Sequence, residues 1–203
     1  MSGPIYMITD PGAPLDVAGQ ARAAARGGAG WVQLRDKTAS DADLLDLARL
    51  LLPEMRALGA KLVINDRIAV AIAAGADGLH IGQGDGDPQA IRARIGPDRI
   101  LGLSIETLAQ ARALPKGVDY IGAGPVRATA TKPDAAAPIG FDGLAEIARA
   151  VPVPCYAIGG LGRGDIAALK SAGAAGMAVV SAITRAPDPT AATQALVQDW
   201  SQR

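Results

Sequence analysis

The sequence predicts an α/β fold, a single (β/α)₈ barrel of the TIM type over residues 1–203. Three observations predict it. Short apolar runs of β character alternate with segments of helical period from end to end, the signature of a parallel sheet with crossover helices. Four helix-to-strand junctions share one pattern: Gly28-Ala29-Gly30-Trp31, Gly75-Ala76-Asp77-Gly78, Gly117-Val118-Asp119-Tyr120 and Gly173-Ala174-Ala175-Gly176. In each, the first glycine suits a position with φ > 0 just past a helix, and the apolar residues after it open a strand. Eight such units in 203 residues sit at the compact end for this architecture, which leaves little room for a second domain.

In order, the expected strands are Ile5 to Thr9, Trp31 to Arg35, Lys61 to Asn65, Gly78 to Gly82, Ile100 to Ile105, Tyr120 to Gly124, Cys155 to Gly159 and Gly176 to Ile183. The segments between them read as helices. Ahead of the second helix, Ser40 with Asp43 three residues on forms an N-cap pattern, and Leu44, Leu47, Ala48 and Leu51 give one apolar face. Pro53 is expected to kink or shorten that helix. An open doubly wound sheet is the alternative architecture, but no G-x-G-x-x-G fingerprint follows the first strand.

Composition excludes several classes. Apolar residues make up 49% of the chain, yet no run approaches the roughly eighteen needed for a membrane span. Met1-Ser2-Gly3-Pro4 leads into the first strand without a basic region and cleavage site, so a soluble, cytoplasmic protein is expected. Twenty Lys+Arg balance twenty Asp+Glu, so there is no positive field of the kind nucleic acid or an acidic membrane requires. The lone Cys155 reads as a small buried hydrophobe rather than a catalytic thiol. Whether the chain forms a homo-oligomer is not legible.

Side-chain parity points to the chemistry. The outward face of a barrel strand packs under helices, so polar residues mark the face that meets the barrel mouth. In the second strand Val32 and Leu34 share one face, while Gln33, Arg35 and Lys37 share the other. A buried arginine needs an anion, either a ligand or a strand-end carboxylate such as Asp36. The third strand ends at Asn65-Asp66 and the fourth is followed by Gln83-Gly84-Asp85. Two carboxylates at neighbouring strand ends suit Mg²⁺, which keeps waters and takes further ligands from a substrate phosphate; Asp66 could instead cap the following helix.

The loop after the sixth strand carries Thr129-Ala130-Thr131-Lys132, a hydroxyl, hydroxyl, ammonium run suited to phosphate oxygens. The seventh strand ends in Gly159-Gly160-Leu161-Gly162 and the eighth in Val179-Val180-Ser181, where phosphate sites recur in this fold. Two anion sites are therefore expected, one metal-assisted at strands two to four and one metal-free at strands seven and eight. His80, the single histidine, reads as a structural or supporting residue rather than a general base, and Ser-His-Asp or Cys-His chemistry is poorly supported.

Assembled in order, these segments resemble the thiamine-phosphate synthase (thiamine-phosphate pyrophosphorylase) family along almost the whole chain. The resemblance is carried by Tyr6-Met7-Ile8-Thr9-Asp10, Val32 through Lys37, Ile64-Asn65-Asp66-Arg67, Gly75 through Gln83, Gly102-Leu103-Ser104, Thr129 through Lys132, Ala157-Ile158-Gly159-Gly160 and Val180-Ser181-Ala182-Ile183. It implies that 4-amino-2-methyl-5-hydroxymethylpyrimidine diphosphate reacts with a thiazole phosphate to give thiamine phosphate and pyrophosphate. It further implies that Gln33, Leu34, Arg35, Asp36, Lys37, Asn65, Ser104 and Lys132 hold the pyrimidine diphosphate, and that Asp66 and Asp85 hold Mg²⁺. Thr129, Ala130, Thr131, Gly160, Val180 and Ser181 would hold the thiazole phosphate.

The same resemblance implies a dissociative mechanism in which diphosphate departs before the thiazole nitrogen attacks, with Mg²⁺, Arg35, Lys37, Ser104 and Lys132 as the catalytic set. Two positions depart from the family pattern: Glu106 stands where a histidine often follows the fifth-strand serine, and Arg127-Ala128 replaces an aromatic-proline pair. A thiazole tautomerase on the same barrel is the nearest rival. It lacks the Thr-x-Thr-Lys loop and carries its catalytic histidine at the position of Glu106. A silent thiamine-phosphate-binding barrel is a third reading, opposed by Asp66, Asp85 and Lys132.

Overall fold

The structure, a computed structural model, describes residues 3–129 and 136–202. Eight parallel strands close into a barrel in sequence order: β1 (Ile5–Ile8), β2 (Trp31–Leu34), β3 (Lys61–Asn65), β4 (Gly78–Ile81), β5 (Ile100–Ile105), β6 (Tyr120–Ala123), β7 (Cys155–Ile158) and β8 (Gly176–Val179). Closure is made by β8 against β1, with Tyr6 opposite Ala178 and Met7 opposite Val179. The helices that follow the strands are α1 (Val17–Arg26), α2 (Asp41–Ala57), α3 (Ile68–Ala74), α4 (Pro88–Ile95), α5 (Leu108–Arg112), α6 (Gly140–Ala150), α7 (Ile166–Ser171), the short α8 (Ser181–Thr184) and α9 (Pro189–Ser201). Among the described residues no helix is long and apolar enough to cross a membrane.

Local chemistry explains most boundaries. Ser40 caps α2 by accepting the Asp43 amide, and the four junction glycines Gly28, Gly75, Gly117 and Gly173 all have positive φ. Two expectations are corrected. Of the kink or shortening expected at Pro53, the shortening does not occur, since α2 continues to Ala57; the ring sits on the exposed face while Leu51, Leu52 and Met55 are buried on the other. Water can satisfy the carbonyl that the proline leaves unbonded, and packing holds the remaining turns. The eighth strand ends at Val179 rather than Ile183, because its partner β1 ends one residue past the Met7–Val179 pair. The chain then turns at Val180 and forms α8.

Alternation along each strand divides the core in two. Outward residues such as Met7, Val32, Leu34, Leu62, Ile64, Leu79 and Leu101 pack with the helices. Inward residues form a second cluster built around Tyr6, Trp31, Tyr120 and Tyr156, whose rings meet tilted or edge-on at centroid separations of 5.4 to 5.9 Å. All three tyrosines of the chain thus fill the barrel. They fit because neighbouring strands offer glycine: a Cβ on Gly102 would lie 2.1 Å from the Tyr120 ring. Cys155 is buried on the outward side, and burial pushes its thiol up to about 12, which leaves it an inert packing group.

Candidate active site

The aromatic plug closes the barrel below a pocket of about 480 Å³ at the C-terminal ends of the strands. Inward parity delivers the β2 candidates in order: Gln33 is buried on the plug, Arg35 is half-buried above it and Lys37 is exposed at the rim. All three line the pocket, as do Asn65, Asp66, Asp85, Ser104, Thr129, Gly160, Val180 and Ser181. Two sequence candidates do not reach it. Leu34 faces outward and is fully buried under the helices. The Asp36 carboxylate is engaged in a turn, accepting the Thr38 and Ala39 amides and the Thr38 hydroxyl. Burial alone would raise that carboxyl, but these hydrogen bonds, with Arg67 nearby, outweigh it and hold it below the ordinary range. Ala130, Thr131 and Lys132 lie outside the described residues.

Arg35 therefore does not pair with Asp36, and among the described residues it is in no ion pair. Its backbone is pinned by Thr9, whose hydroxyl accepts the Arg35 amide at 2.9 Å and donates to the Arg35 carbonyl at 3.1 Å. The guanidinium is left facing the cavity, which suits a bound anion. Lys37 contacts Asp66 at 2.9 Å. Asp66 is the one non-glycine residue with positive φ among the described residues, at 49°, a conformation that aspartate tolerates better than most and that tends to occur at functional positions. On β4's loop, Asp85 turns back to accept the Gly82 amide at 2.7 Å and remains exposed.

Charged groups of both signs line the described wall. Four carboxylates line it (Asp10, Asp66, Asp85 and Glu106) against two cations, Arg35 and Lys37. Asp10 is offset by Arg185 at 3.0 Å. Asp66 and Asp85 are oxygen donors on neighbouring strand ends of that wall, a pair that fits a hard divalent cation completed by water and substrate oxygens, although no cluster of three or more potential metal ligands occurs among the described residues.

The opposite arc is backbone-rich. Val126 and Arg127 donate amides to the Ile158 and Gly159 carbonyls, so the loop leaving β6 runs along the end of β7. Gly160, with φ 64°, is where it passes closest: a Cβ there would sit 2.8 Å from the Ala128 carbonyl and 2.9 Å from the Arg127 side chain. Arg127 anchors the same loop, pairing with Asp165 at 2.6 Å and lying 5.1 Å over the Phe141 ring. Asp165 in turn accepts the Gly162 amide. Arg127, standing where the resemblance implies an aromatic residue, thus anchors the loop through an ion pair and a ring contact.

Sequence reading missed how the floor is wired. Gln33 donates to the Tyr6 hydroxyl at 2.8 Å, the Tyr6 and Tyr120 hydroxyls are 2.8 Å apart, Tyr120 meets His80 Nδ1 at 2.9 Å, and His80 Nε2 meets Ser104 Oγ at 2.9 Å. Gln83, quoted only as part of a motif, bonds the Ser104 carbonyl and lines the pocket with Asp10, His80 and Glu106.

A closed parallel barrel with a polar pocket at its C-terminal mouth, lined by Arg35, Lys37, Asp66 and Asp85 on one arc and by glycines on the other, has the architecture of (β/α)₈-barrel enzymes, in which phosphate sites recur after strands seven and eight. The chain belongs to the thiamine monophosphate synthase family, whose sequence model matches residues 5–183. A thiamine-phosphate synthase from Solidesulfovibrio magneticus is 52% identical over 198 residues, covering 95% of this chain and 92% of that one. The corresponding protein of Roseiflexus sp. is 47% identical over 197 residues, covering 96% and 84%. Among solved structures, a thiamine phosphate pyrophosphorylase from Pyrococcus furiosus superposes with a TM-score of 0.88 at 32% identity over 97% of this chain and 95% of that one. The chain is accordingly an enzyme, a transferase that makes thiamine phosphate.

Proposed function

We propose that the chain joins 4-amino-2-methyl-5-hydroxymethylpyrimidine diphosphate to a thiazole phosphate, releasing pyrophosphate, with the pyrimidine diphosphate on the β2 to β5 arc and the thiazole phosphate on the β7 to β8 arc. The observation that carries this reading is the convergence of Arg35, Lys37, Asn65, Asp66, Asp85 and Ser104 with Gly160, Val180 and Ser181 on one cavity of about 480 Å³. Two anionic substrates can meet there while each keeps its own donors.

Arg35 and Lys37, with Lys132 from the loop after β6, stabilise charge that grows on the departing diphosphate, so they act mainly on the transition state. Asp66 and Asp85 would hold Mg²⁺, which supplies positive charge to the leaving group when bound. Two carboxylates at neighbouring strand ends, on the arc that would take the diphosphate, support a cation there, since each would otherwise face the like charge of the phosphates. Thr129, Ala130, Thr131, Gly160, Val180 and Ser181 orient the thiazole phosphate, with the first amides of α8 unpartnered within the helix. The step is dissociative: the carbon–oxygen bond to diphosphate breaks first, and the thiazole nitrogen then attacks the pyrimidine methylene.

Small molecules are its partners in this reading, and the family's biosynthetic role fits a cytoplasmic protein. The test is direct: purified protein, both substrates and Mg²⁺ should give thiamine phosphate by mass spectrometry, and leaving out either substrate should remove the product. A complete mixture without product would refute the reading.

A further inference from the structure

A serine hydrogen-bonded to a histidine ordinarily raises the question of nucleophilic catalysis. The direction of the bonds below Ser104 answers it. Among the described residues the Tyr6 hydroxyl has two partners, the Gln33 amide nitrogen and the Tyr120 hydroxyl. Gln33 can only donate through that nitrogen, so Tyr6 accepts there and must give its own proton to Tyr120. Tyr120, having accepted from Tyr6, gives its proton to His80 Nδ1. Neutral His80 then carries its hydrogen on Nε2 and donates it to Ser104 Oγ. Each buried hydroxyl has one donor and one acceptor in this arrangement, and none is left unsatisfied.

We propose that Gln33, Tyr6, Tyr120 and His80 form a one-way donor relay that fixes His80 as its Nε2–H tautomer and positions Ser104 as a hydrogen-bond donor to the substrate, not as a nucleophile. With Oγ already accepting from His80, the serine's own hydrogen is directed into the pocket. The substrate atom it meets is therefore an acceptor, a ring nitrogen or a diphosphate oxygen. Burial raises both phenols well above the ordinary tyrosine value, so both remain protonated and able to donate. Tyr6, Tyr120 and His80 are positioning residues. This deepens the reading above and rests on it in one respect, that Ser104 faces the pyrimidine diphosphate.

Because His80 is the chain's single histidine, its imidazole gives the only pair of ring signals in a protein labelled with ¹⁵N-histidine. At pH 8, above the roughly 6.5 of an unperturbed imidazole, wild-type protein should show a protonated Nε2 and an unprotonated Nδ1 that accepts a hydrogen bond. In folded Tyr120→Phe the Nδ1 signal should move downfield to that of an unbonded nitrogen. The same variant should lose about tenfold in kcat/KM for the pyrimidine diphosphate, the worth of one misplaced hydrogen bond, with KM for the thiazole phosphate unchanged. A protonated Nδ1 in the wild type, whether as the other tautomer, a mixture or an imidazolium, would overturn the relay, and so would unchanged kinetics in Tyr120→Phe. Ser104→Ala separates the two readings: if it turned over normally, the substrate assignment of Ser104 would fail, whereas the tautomer stands or falls on the spectrum alone.

Discussion

Lys37 Nζ lies 2.9 Å from Asp66 Oδ2, so the rim ammonium neutralises the carboxylate that occupies a left-handed backbone position. In the proposed reading a diphosphate and a divalent cation would offer each a better partner, phosphate oxygens for the ammonium and the metal for the carboxylate. Asp85 would be the second carboxylate of that proposed site, from the next strand end. It is exposed, and among the described residues its carboxylate accepts one hydrogen bond, from the Gly82 amide, so Asp85→Ala should fold normally. Its kcat/KM in Mg²⁺ should fall on the order of a hundredfold, the scale of lost charge stabilisation at a leaving group. Steady-state kinetics with circular dichroism as the folding control decides it, and undiminished turnover would remove Asp85 from the metal site.

Gly160 and Ser181 should differ sharply. Ser181→Ala removes one exposed hydroxyl and should raise KM for the thiazole phosphate only a few fold. Gly160→Val places a branched side chain at φ 64° against the Ala128 carbonyl and Arg127, so it pushes the β6 loop away instead of simply blocking the phosphate. KM for the thiazole phosphate should rise far more, with KM for the pyrimidine diphosphate little changed, because the two arcs are on opposite sides of the mouth. A rise confined to the pyrimidine constant would mean that the two anion sites are exchanged.

The Arg127 anchor gives a milder effect. Its ion pair with Asp165 is half-exposed on the arginine side, and pairs of that kind contribute modestly. The Phe141 contact adds a cation–π term. Arg127→Ala should raise KM for the thiazole phosphate by about three- to fivefold and leave kcat nearly intact, while Arg127→Lys recovers only part. Equal kinetics for Arg127→Ala and wild type would show that the loop holds its position without this clamp.

Alkali should destabilise the protein early. Burial raises the acid groups of Tyr6, Tyr120 and Cys155, the last from 9.0 to about 12. Above the unfolded values the unfolded chain has lost protons that the folded chain still binds, so stability is complete below about pH 9 and falls as pH rises further. Urea midpoints should drop between pH 8 and pH 10.5, and less so in Cys155→Ala relative to its own value at pH 8. A constant midpoint across that interval would contradict the buried, protonated plug.

Most of the barrel was legible because each strand is a short apolar run bounded by glycine and each helix has its own period. The errors have local causes. Pro53 is tolerated because it falls on the exposed face of α2, which the residue itself does not announce. The end of β8 is set by the length of β1, more than 170 residues earlier in the chain, a pairing that no local signal carries. At the site, parity alone separated Arg35 and Lys37 from Leu34, and it would have excluded Leu34 had it been applied to the whole Gln33-to-Lys37 block. Asp36 was lost to a turn that competes for its carboxylate. The Tyr6–Tyr120 bond joins residues 114 apart in sequence and forms only inside the closed barrel, so nothing local in the sequence marks these two strand tyrosines as wiring the floor of the pocket.

The central claim, that one pocket brings a departing diphosphate to a waiting thiazole, is tested most directly by following both products in one reaction. With both substrates and Mg²⁺, thiamine phosphate and pyrophosphate should appear in equal amounts from the first turnover, and chelating the metal should suppress both together. Pyrophosphate released without thiamine phosphate would contradict the account, as would thiamine phosphate formed at the full rate after chelation.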